Sequence, residues 1–289
     1  MGKLREALQS GKFVVSAEIA PPKGVDVSEM LESAELLKHR VDALNVTDQQ
    51  SSVMRLGSLA CAHLLVERGI EPIFQMTARD RNRIALQSDL LSAHVMGIEN
   101  VLCLTGDYVT LGDHPQAKPV FDLDSVALLQ AARGLEQGHD MSGKELKGTP
   151  KFLLGATVTP GANPLEPQLI KMEKKVKAGA QFFQTQAVYE PGKFEAFMKF
   201  AEQFKVPVIV GIIPLKSVGM ARFMNKNVAG VHVPEDVISE LGQSEDKYKK
   251  TLEITARLIK QMKGMCQGVH LMAIGWEQKV PEFLDAAGL

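Results

Sequence analysis

The sequence of 289 residues is poor in cysteine, tryptophan and tyrosine, with three, one and three of each. Cys61, Cys103 and Cys266 lie far apart and form no C-x-x-C pair. That spacing excludes a zinc ribbon, a disulfide framework and an iron–sulfur cluster held by this chain alone. A surplus of charge is also missing: 33 Lys+Arg stand against 34 Asp+Glu, with a pI of about 6.7. A nucleic-acid protein carries a strong basic excess, so no nucleic-acid partner is expected and a charged ligand must be met by locally placed groups. No stretch approaches the roughly 18 uninterrupted apolar residues of a membrane span. The opening MGKLREALQSGKFVVS lacks the apolar core of a secretory leader. No membrane insertion and a cytoplasmic location are therefore expected. None of the seven histidines falls in an H-x-x-x-H or H-x-H pair, and no bound metal is expected. G-x-G-x-x-G after the first strand and G-x-x-x-x-G-K-[ST] are both absent, which removes the usual Rossmann and P-loop phosphate cradles.

What is present is enough apolar residue for a sizeable core, 45% hydrophobic against 23% charged. Short apolar, β-branched runs alternate with segments of helical period. Strands are predicted at 13–19, 43–47, 72–77, 100–104, 152–157, 182–186, 206–212 and 269–273. Helices are predicted at 27–37, 55–67, 83–96, around 125–133, and at 165–178, 193–204, 218–224 and 247–262. Apolar strands each followed by a helix imply a parallel sheet buried on both faces, and eight such units close most economically into a (β/α)8 TIM barrel. An open doubly wound sheet is the alternative. The α/β barrel takes residues 1–289 as one domain, with a Gly-, Asp-, His- and Lys-rich insertion around 107–150, and leaves no room for a second cofactor domain. The 13 methionines read as core filling.

In such barrels chemistry sits at the carboxyl ends of the strands, so polar residues there are the candidates. Ser16-Ala17-Glu18-Ile19-Ala20-Pro21-Pro22 places a carboxylate inside an apolar strand. Burial disfavours the charged form, which suits a general acid; a barrel-interior salt bridge is the other reading. Asn45-Val46-Thr47-Asp48-Gln49-Gln50 ends the second strand. Gln75-Met76-Thr77 ends the third and leads to Arg79, Arg81 and Arg83, either phosphate ligands or a solvated helix start paired with Asp80. Leu104-Thr105-Gly106-Asp107 presents a carboxylate beside a backbone that a ligand can approach closely, or a turn-capping Asp. Gln184-Thr185-Gln186 offers amide donors and acceptors, the complement of a pterin or pyrimidine lactam edge, or plain strand-end capping. His270 reads as a core or rim histidine.

Taken in order, these endings resemble the methylenetetrahydrofolate reductases over about residues 13–283. The matching stretches are Ala17 to Pro22, Val46-Thr47, Leu104 to Asp107, Lys175-Val176-Lys177-Ala178-Gly179-Ala180 followed by Gln184-Thr185-Gln186, and Gly211-Ile212-Ile213-Pro214. The resemblance implies an oxidoreductase of one-carbon metabolism: a barrel that holds a flavin at its strand ends and reduces 5,10-methylenetetrahydrofolate to 5-methyltetrahydrofolate by hydride transfer. It implies Glu18 as the general acid that protonates N10 and opens the imidazolidine ring. It implies Asp107 as the carboxylate near flavin and pterin, and Gln186 as the pterin's hydrogen-bonding partner. Thr47, Gln75, Thr105, Gly106, Asp107, Ala156 and Lys175 are the implied flavin contacts, with FAD as cofactor. Thr105 stands where relatives have an Arg that helps bind the dinucleotide end, which leaves FMN as the alternative and Arg79 or Arg81 as replacement cations. Gln75 and Asn163 stand where His is found in relatives, and the last strand lacks a Tyr, which bears on folate contacts by Met272 and Ile274.

Phe223 is the nearest aromatic to serve as the one that stacks on a nicotinamide after Gly-Ile-Leu-Pro, a helix core position being its other reading. The implied electron source is NAD(P)H or a redox partner subunit with iron–sulfur or metal centres, so an oligomer or hetero-complex is expected. The chain ends without the regulatory extension of larger members, and adenosylmethionine control is not expected. Two other classes compete: a flavin-free pterin-binding methyltransferase barrel, and a non-catalytic subunit of a folate redox complex. Glu18 together with 104–107 suits a hydride site better than either.

Overall fold

The computed structural model describes residues 2–289. Helix α1 (Lys3–Ser10) stops at Gly11, which takes a left-handed backbone (φ 74°) as helix-ending glycines do. Strand and helix then alternate. The first half runs β1 (Val14–Ile19), α2 (Ser28–Leu37), β2 (Ala43–Val46), α3 (Ser58–Glu67), β3 (Pro72–Thr77), α4 (Arg83–Val95), β4 (Asn100–Leu104) and α5 (Ser125–Glu136). The second runs β5 (Leu153–Val158), α6 (Glu166–Lys177), β6 (Phe182–Ala187), α7 (Pro191–Ala201), β7 (Val208–Ile212), α8 (Val218–Asn227), α9 (Glu235–Gln243), α10 (Lys247–Met262), β8 (Gly268–Leu271) and α11 (Val280–Ala287). The eight strands pair in sequence order, all parallel, and β8 closes on β1. The molecule is a single-domain (β/α)8 TIM barrel.

The strands read as apolar runs because both faces are covered. Outward residues such as Ala17, Leu44, Phe74, Val101, Leu154 and Val210 pack against the helices. Inward residues alternate with them at period two and stack in layers. The floor is apolar: Val14, Ala43, Ile73, Leu102, Leu153, Phe182 and Ile209, plugged from below by Leu4 and Ala7 of α1. Glu71 anchors that plug, accepting from the Lys3 and Leu4 amides and from Asn100 Nδ2. One layer up the interior turns polar, with Ser16, Asn45, Gln75, Gln184 and His270 all buried.

Residues 107–150 hold a short 3-10 turn at Val109–Leu111, helix α5 and a single bridge between His139 and Glu145. Helix α5 packs on β4 and β5 as a barrel helix. Its capping Asp124 accepts from the Val126 and Ala127 amides. Helix α4 is capped likewise by Asn82. Among the described residues no helix is long and apolar enough to cross a membrane.

Candidate active site

At the carboxyl ends of the strands the barrel opens into a cavity of about 380 Å³, within the size range of small-molecule sites. Its deep wall is Glu18, which β1 turns inward two residues above Ser16. The side chain is only 10% exposed, and both oxygens have partners. Oε1 accepts from Gln50 Nε2 at 3.1 Å. Oε2 faces Gln75 Nε2 at 3.4 Å and His270 Nε2 at 3.7 Å. Among the described residues no Lys or Arg pairs with it, and the basic group within ion-pair distance is His270, which makes a salt bridge only when protonated. His270 Nδ1 in turn lies 3.0 Å from Ser16 Oγ. Behind them Asn45 and Gln184 exchange two amide hydrogen bonds across the barrel, at 2.7 and 3.0 Å, and Gln184 Nε2 also reaches Ser16 Oγ at 3.4 Å.

Asp107 stands at the mouth, exposed, its carboxylate accepting from the Ser51 amide at 3.1 Å. The preceding Gly106 has φ 95°, and a Cβ there would lie 2.9 Å from Arg79 Cβ and 3.1 Å from Thr77 Cβ. Only glycine lets β4 end in this conformation against that wall. Gln186 also lines the cavity; its Oε1 accepts from the Ala187 amide at 2.9 Å, and its Nε2 donates to no protein group among the described residues. Gln75 and Thr105 line it too, but the Thr105 hydroxyl is engaged, accepting from Ser125 N at the start of α5. Thr47 Oγ1 is buried and has no hydrogen-bond partner among the described residues.

Three expectations change. Arg79, Arg81 and Arg83 are not free cations for a phosphate. Arg79 is buried on Asp80 at 2.6 and 2.8 Å, Arg81 pairs with Asp48 and Asp89, and Arg83 forks onto Asp122. Ala156 points outward into the helix layer and leaves only its backbone for a ligand, because odd-numbered Gly155 and Thr157 take the inward positions on β5. Phe223 is neither core nor cavity wall: α8 turns Ala221 and Met224 inward and leaves Phe223 61% exposed. Among the described residues no Phe, Tyr or Trp lines the cavity.

Of the cations that line the cavity, Arg79, Lys171 and Lys175, the buried lysine is Lys175. It is buried on α6, its Nζ donates to the Thr157 carbonyl at 2.6 Å, and among the described residues no carboxylate pairs with it. Burial, with Lys171 nearby, lowers its pKa to about 8. A shift of that size corresponds to about 3 kcal/mol, which a bound anion would recover.

Sequence reasoning named Asp48 and Gln50 within the second strand ending without giving either a role, and it did not foresee the Ser16–His270 contact. Asp48 accepts from Thr77 N and Oγ1 at 2.8 and 2.9 Å, tying the second strand end to the third. The signal for Ser16 and His270 was parity: each stands two residues from another inward position. Gln50 sits in a loop and carries no such pattern.

A family model described as methylenetetrahydrofolate reductase matches residues 3–288. Curated relatives include a "Probable methylenetetrahydrofolate reductase (NADPH)" of Caenorhabditis elegans, 24% identical, the match covering 95% of this chain and 42% of that protein. Another is "Methylenetetrahydrofolate reductase 2" of Schizosaccharomyces pombe, 25% identical, covering 99% and 47%. The chain thus spans less than half the length of these relatives. Among solved structures it is similar to 2,3-dimethylmalate lyase (TM-score 0.56, 12% identity, 99% of this chain and 87% of that one). It is also similar to oxaloacetate acetylhydrolase (TM-score 0.56, 12% identity, 97% and 81%). At that identity the likeness is one of fold.

Proposed function

The chain belongs to the methylenetetrahydrofolate reductase family, and we propose that this barrel reduces 5,10-methylenetetrahydrofolate to 5-methyltetrahydrofolate with a hydride from a bound reduced flavin. The observation that carries the reading is the interior carboxylate of Glu18, held by two amides and faced by an imidazole at the bottom of a cavity whose mouth carries Asp107 and Gln186.

The lining fits a flavin. A buried lysine without a carboxylate suits a phosphate, and a left-handed glycine allows close approach of backbone to ligand; next to the lining residue Asp48, the Thr47 hydroxyl is buried without a partner among the described residues. Lys175 would hold the phosphate, with Gly106 and Gln75 beside the ring system. FAD is the proposed form and FMN the alternative. When bound, the flavin supplies the hydride.

The remaining work falls to the chain. Glu18 gives a proton to N10 of the folate, which breaks the bond between N10 and the one-carbon bridge and leaves an electrophilic iminium to accept the hydride. General acids of this kind contribute about 10²–10⁴-fold. Asp107 stabilises the positive charge that develops during ring opening, as a preorganised carboxylate can. The uncommitted Nε2 of Gln186 bonds the pterin edge and fixes its face. NAD(P)H or a redox partner subunit would supply the electrons for the next turnover.

The test is optical. Protein reconstituted with FAD or FMN should absorb near about 450 nm, bleach with dithionite and regain its colour on anaerobic addition of methylenetetrahydrofolate. A preparation that takes up neither flavin overturns the reading.

A further inference from the structure

We propose that Glu18 regains its proton through a second cavity that also reaches its carboxylate, and that Gln50 is the positioning residue holding the carboxylate between the two cavities. This rests on the reaction proposed above. In that reaction the C–N10 bond breaks and N10 keeps the electron pair. N10 takes the proton of Glu18, and the one-carbon unit takes two electrons and a hydrogen as hydride from the reduced cofactor. Each turnover therefore leaves Glu18 one proton short, and that proton must come from solvent.

Two routes are visibly poor. The first cavity is where cofactor and folate sit during the reaction, so its mouth is blocked when the proton is spent. The contact from Glu18 to His270 and Ser16 leads inward: Ser16 is wholly buried, and beyond it lie only Gln184 and Asn45, also buried and locked in their amide pair above an apolar floor. That chain can orient the carboxylate, but it opens to no water.

A second cavity of about 490 Å³ does reach the surface. It shares Glu18 and Gln50 with the first and continues between the β1–α2 loop, the start of α2 and the loop after β8. Its walls are suited to water. Asp26 and Glu29 on the α2 side, Glu277 after β8, and the cations Lys23 and Arg55 all line it, and Ser33 of α2 forms a buried part of the wall.

Gln50 is fixed where the cavities meet. Its neighbours Gln49, Ser51 and Ser52 have φ of 49°, 53° and 61°, a left-handed run that side-chain-bearing residues adopt only when surroundings impose it. Here the Gln49 amide is clamped both ways by the Arg55 backbone, Arg79 donates to the Gln49 carbonyl, and Ser51 N is held by Asp107. The turn therefore presents Gln50 Nε2 to Glu18 Oε1 and ties both carboxylates of the site to one segment.

Blocking the second cavity tests this without touching the first. Ser33→Met, or Ser33→Val where the longer side chain prevents folding, is compared with wild type by anaerobic stopped flow. Flavin-reduced enzyme is mixed with methylenetetrahydrofolate in weakly buffered solution containing a pH indicator, so that flavin reoxidation and proton uptake from solvent are followed together. The expected result in the blocked enzyme is proton uptake slowed at least 5-fold, while reoxidation, which spends the proton Glu18 already holds, and the folate Kd stay within 2-fold of wild type. Gln50→Ala should instead slow reoxidation itself, because the carboxylate it positions is the proton donor. Proton uptake at the wild-type rate in the blocked enzyme overturns the proton route, and wild-type reoxidation in Gln50→Ala removes Gln50 from its role. Wild-type enzyme that the folate does not reoxidise at all overturns the reaction on which both rest.

Discussion

Lys175 is a cation buried against a carbonyl, and its energetics give a prediction with a definite sign. In the unfolded chain a lysine holds its proton to about 10.5, whereas in the barrel burial brings release down to about 8. Between those values the unfolded state binds more protons, so the stability of cofactor-free protein should rise with pH from about 8 to about 10.5. A phosphate-bearing cofactor needs the charged form. Its Kd should be flat below pH 8 and rise above it, by at most about tenfold per pH unit; a Kd independent of pH from 7 to 10 would remove Lys175 from phosphate binding. Lys175→Met should weaken flavin binding at least 10-fold and raise the Tm of the cofactor-free protein by a few degrees. Glu18 has a different signature. Glu18→Gln should keep the flavin and lose roughly 10²–10⁴-fold in reoxidation by folate, measured on reconstituted, reduced enzyme.

Among the elements, α1 and the floor it plugs can be separated from the chemistry above them. Leu4 is wholly buried against the interior floor, and Leu4→Ala should cost about 2–5 kcal/mol with no change in flavin affinity. On β5, a Cβ at Gly155 would come 2.2 Å from Phe182 Cζ, a ring packed in the floor. Gly155→Ala should therefore lower stability by about 1–3 kcal/mol through overpacking; thermal denaturation reads both.

The elements were legible where patterning is strong. The predicted 72–77, 100–104 and 247–262 coincide with β3, β4 and α10, because continuous apolar runs and a long amphipathic period have few alternative readings. Helix α9 went unread because it is a short addition between α8 and α10, and α11, the helix after β8, because 218–224 and 247–262, which both follow β7, already completed a count of eight helices. At the site, Glu18, Asp107 and Gln186 were visible as polar breaks at strand ends, and the structure brings all three to one cavity. The arginines carried two readings, phosphate ligation and pairing with Asp80, because spacing does not show which carboxylates fold onto them; Arg79 takes Asp80, and Asp48, Asp89 and Asp122 take the others. Gln50 was named in the second strand ending but given no role, because its importance comes from the backbone conformation of the turn around it, which no periodicity encodes.

The whole barrel divides its labour along its axis, with an apolar, plugged floor for stability and a polar interior opening upward for chemistry. In a chain with a net charge of −1, the cations of the cavity, Arg79, Lys171 and Lys175, are locally placed rather than part of a general basic excess. The exposed Phe223 lies outside that division, and Phe223→Ala should change the rate of flavin reduction by NADH or NADPH by less than 2-fold.

The most direct measurement is a single turnover of reconstituted, flavin-reduced protein with excess 5,10-methylenetetrahydrofolate under anaerobic conditions, with the folate product identified and counted. The expected result is one 5-methyltetrahydrofolate per flavin oxidised in the wild type, and the same product formed at least 100-fold more slowly in Glu18→Gln. A flavin that stays reduced while the folate is recovered unchanged would contradict the account.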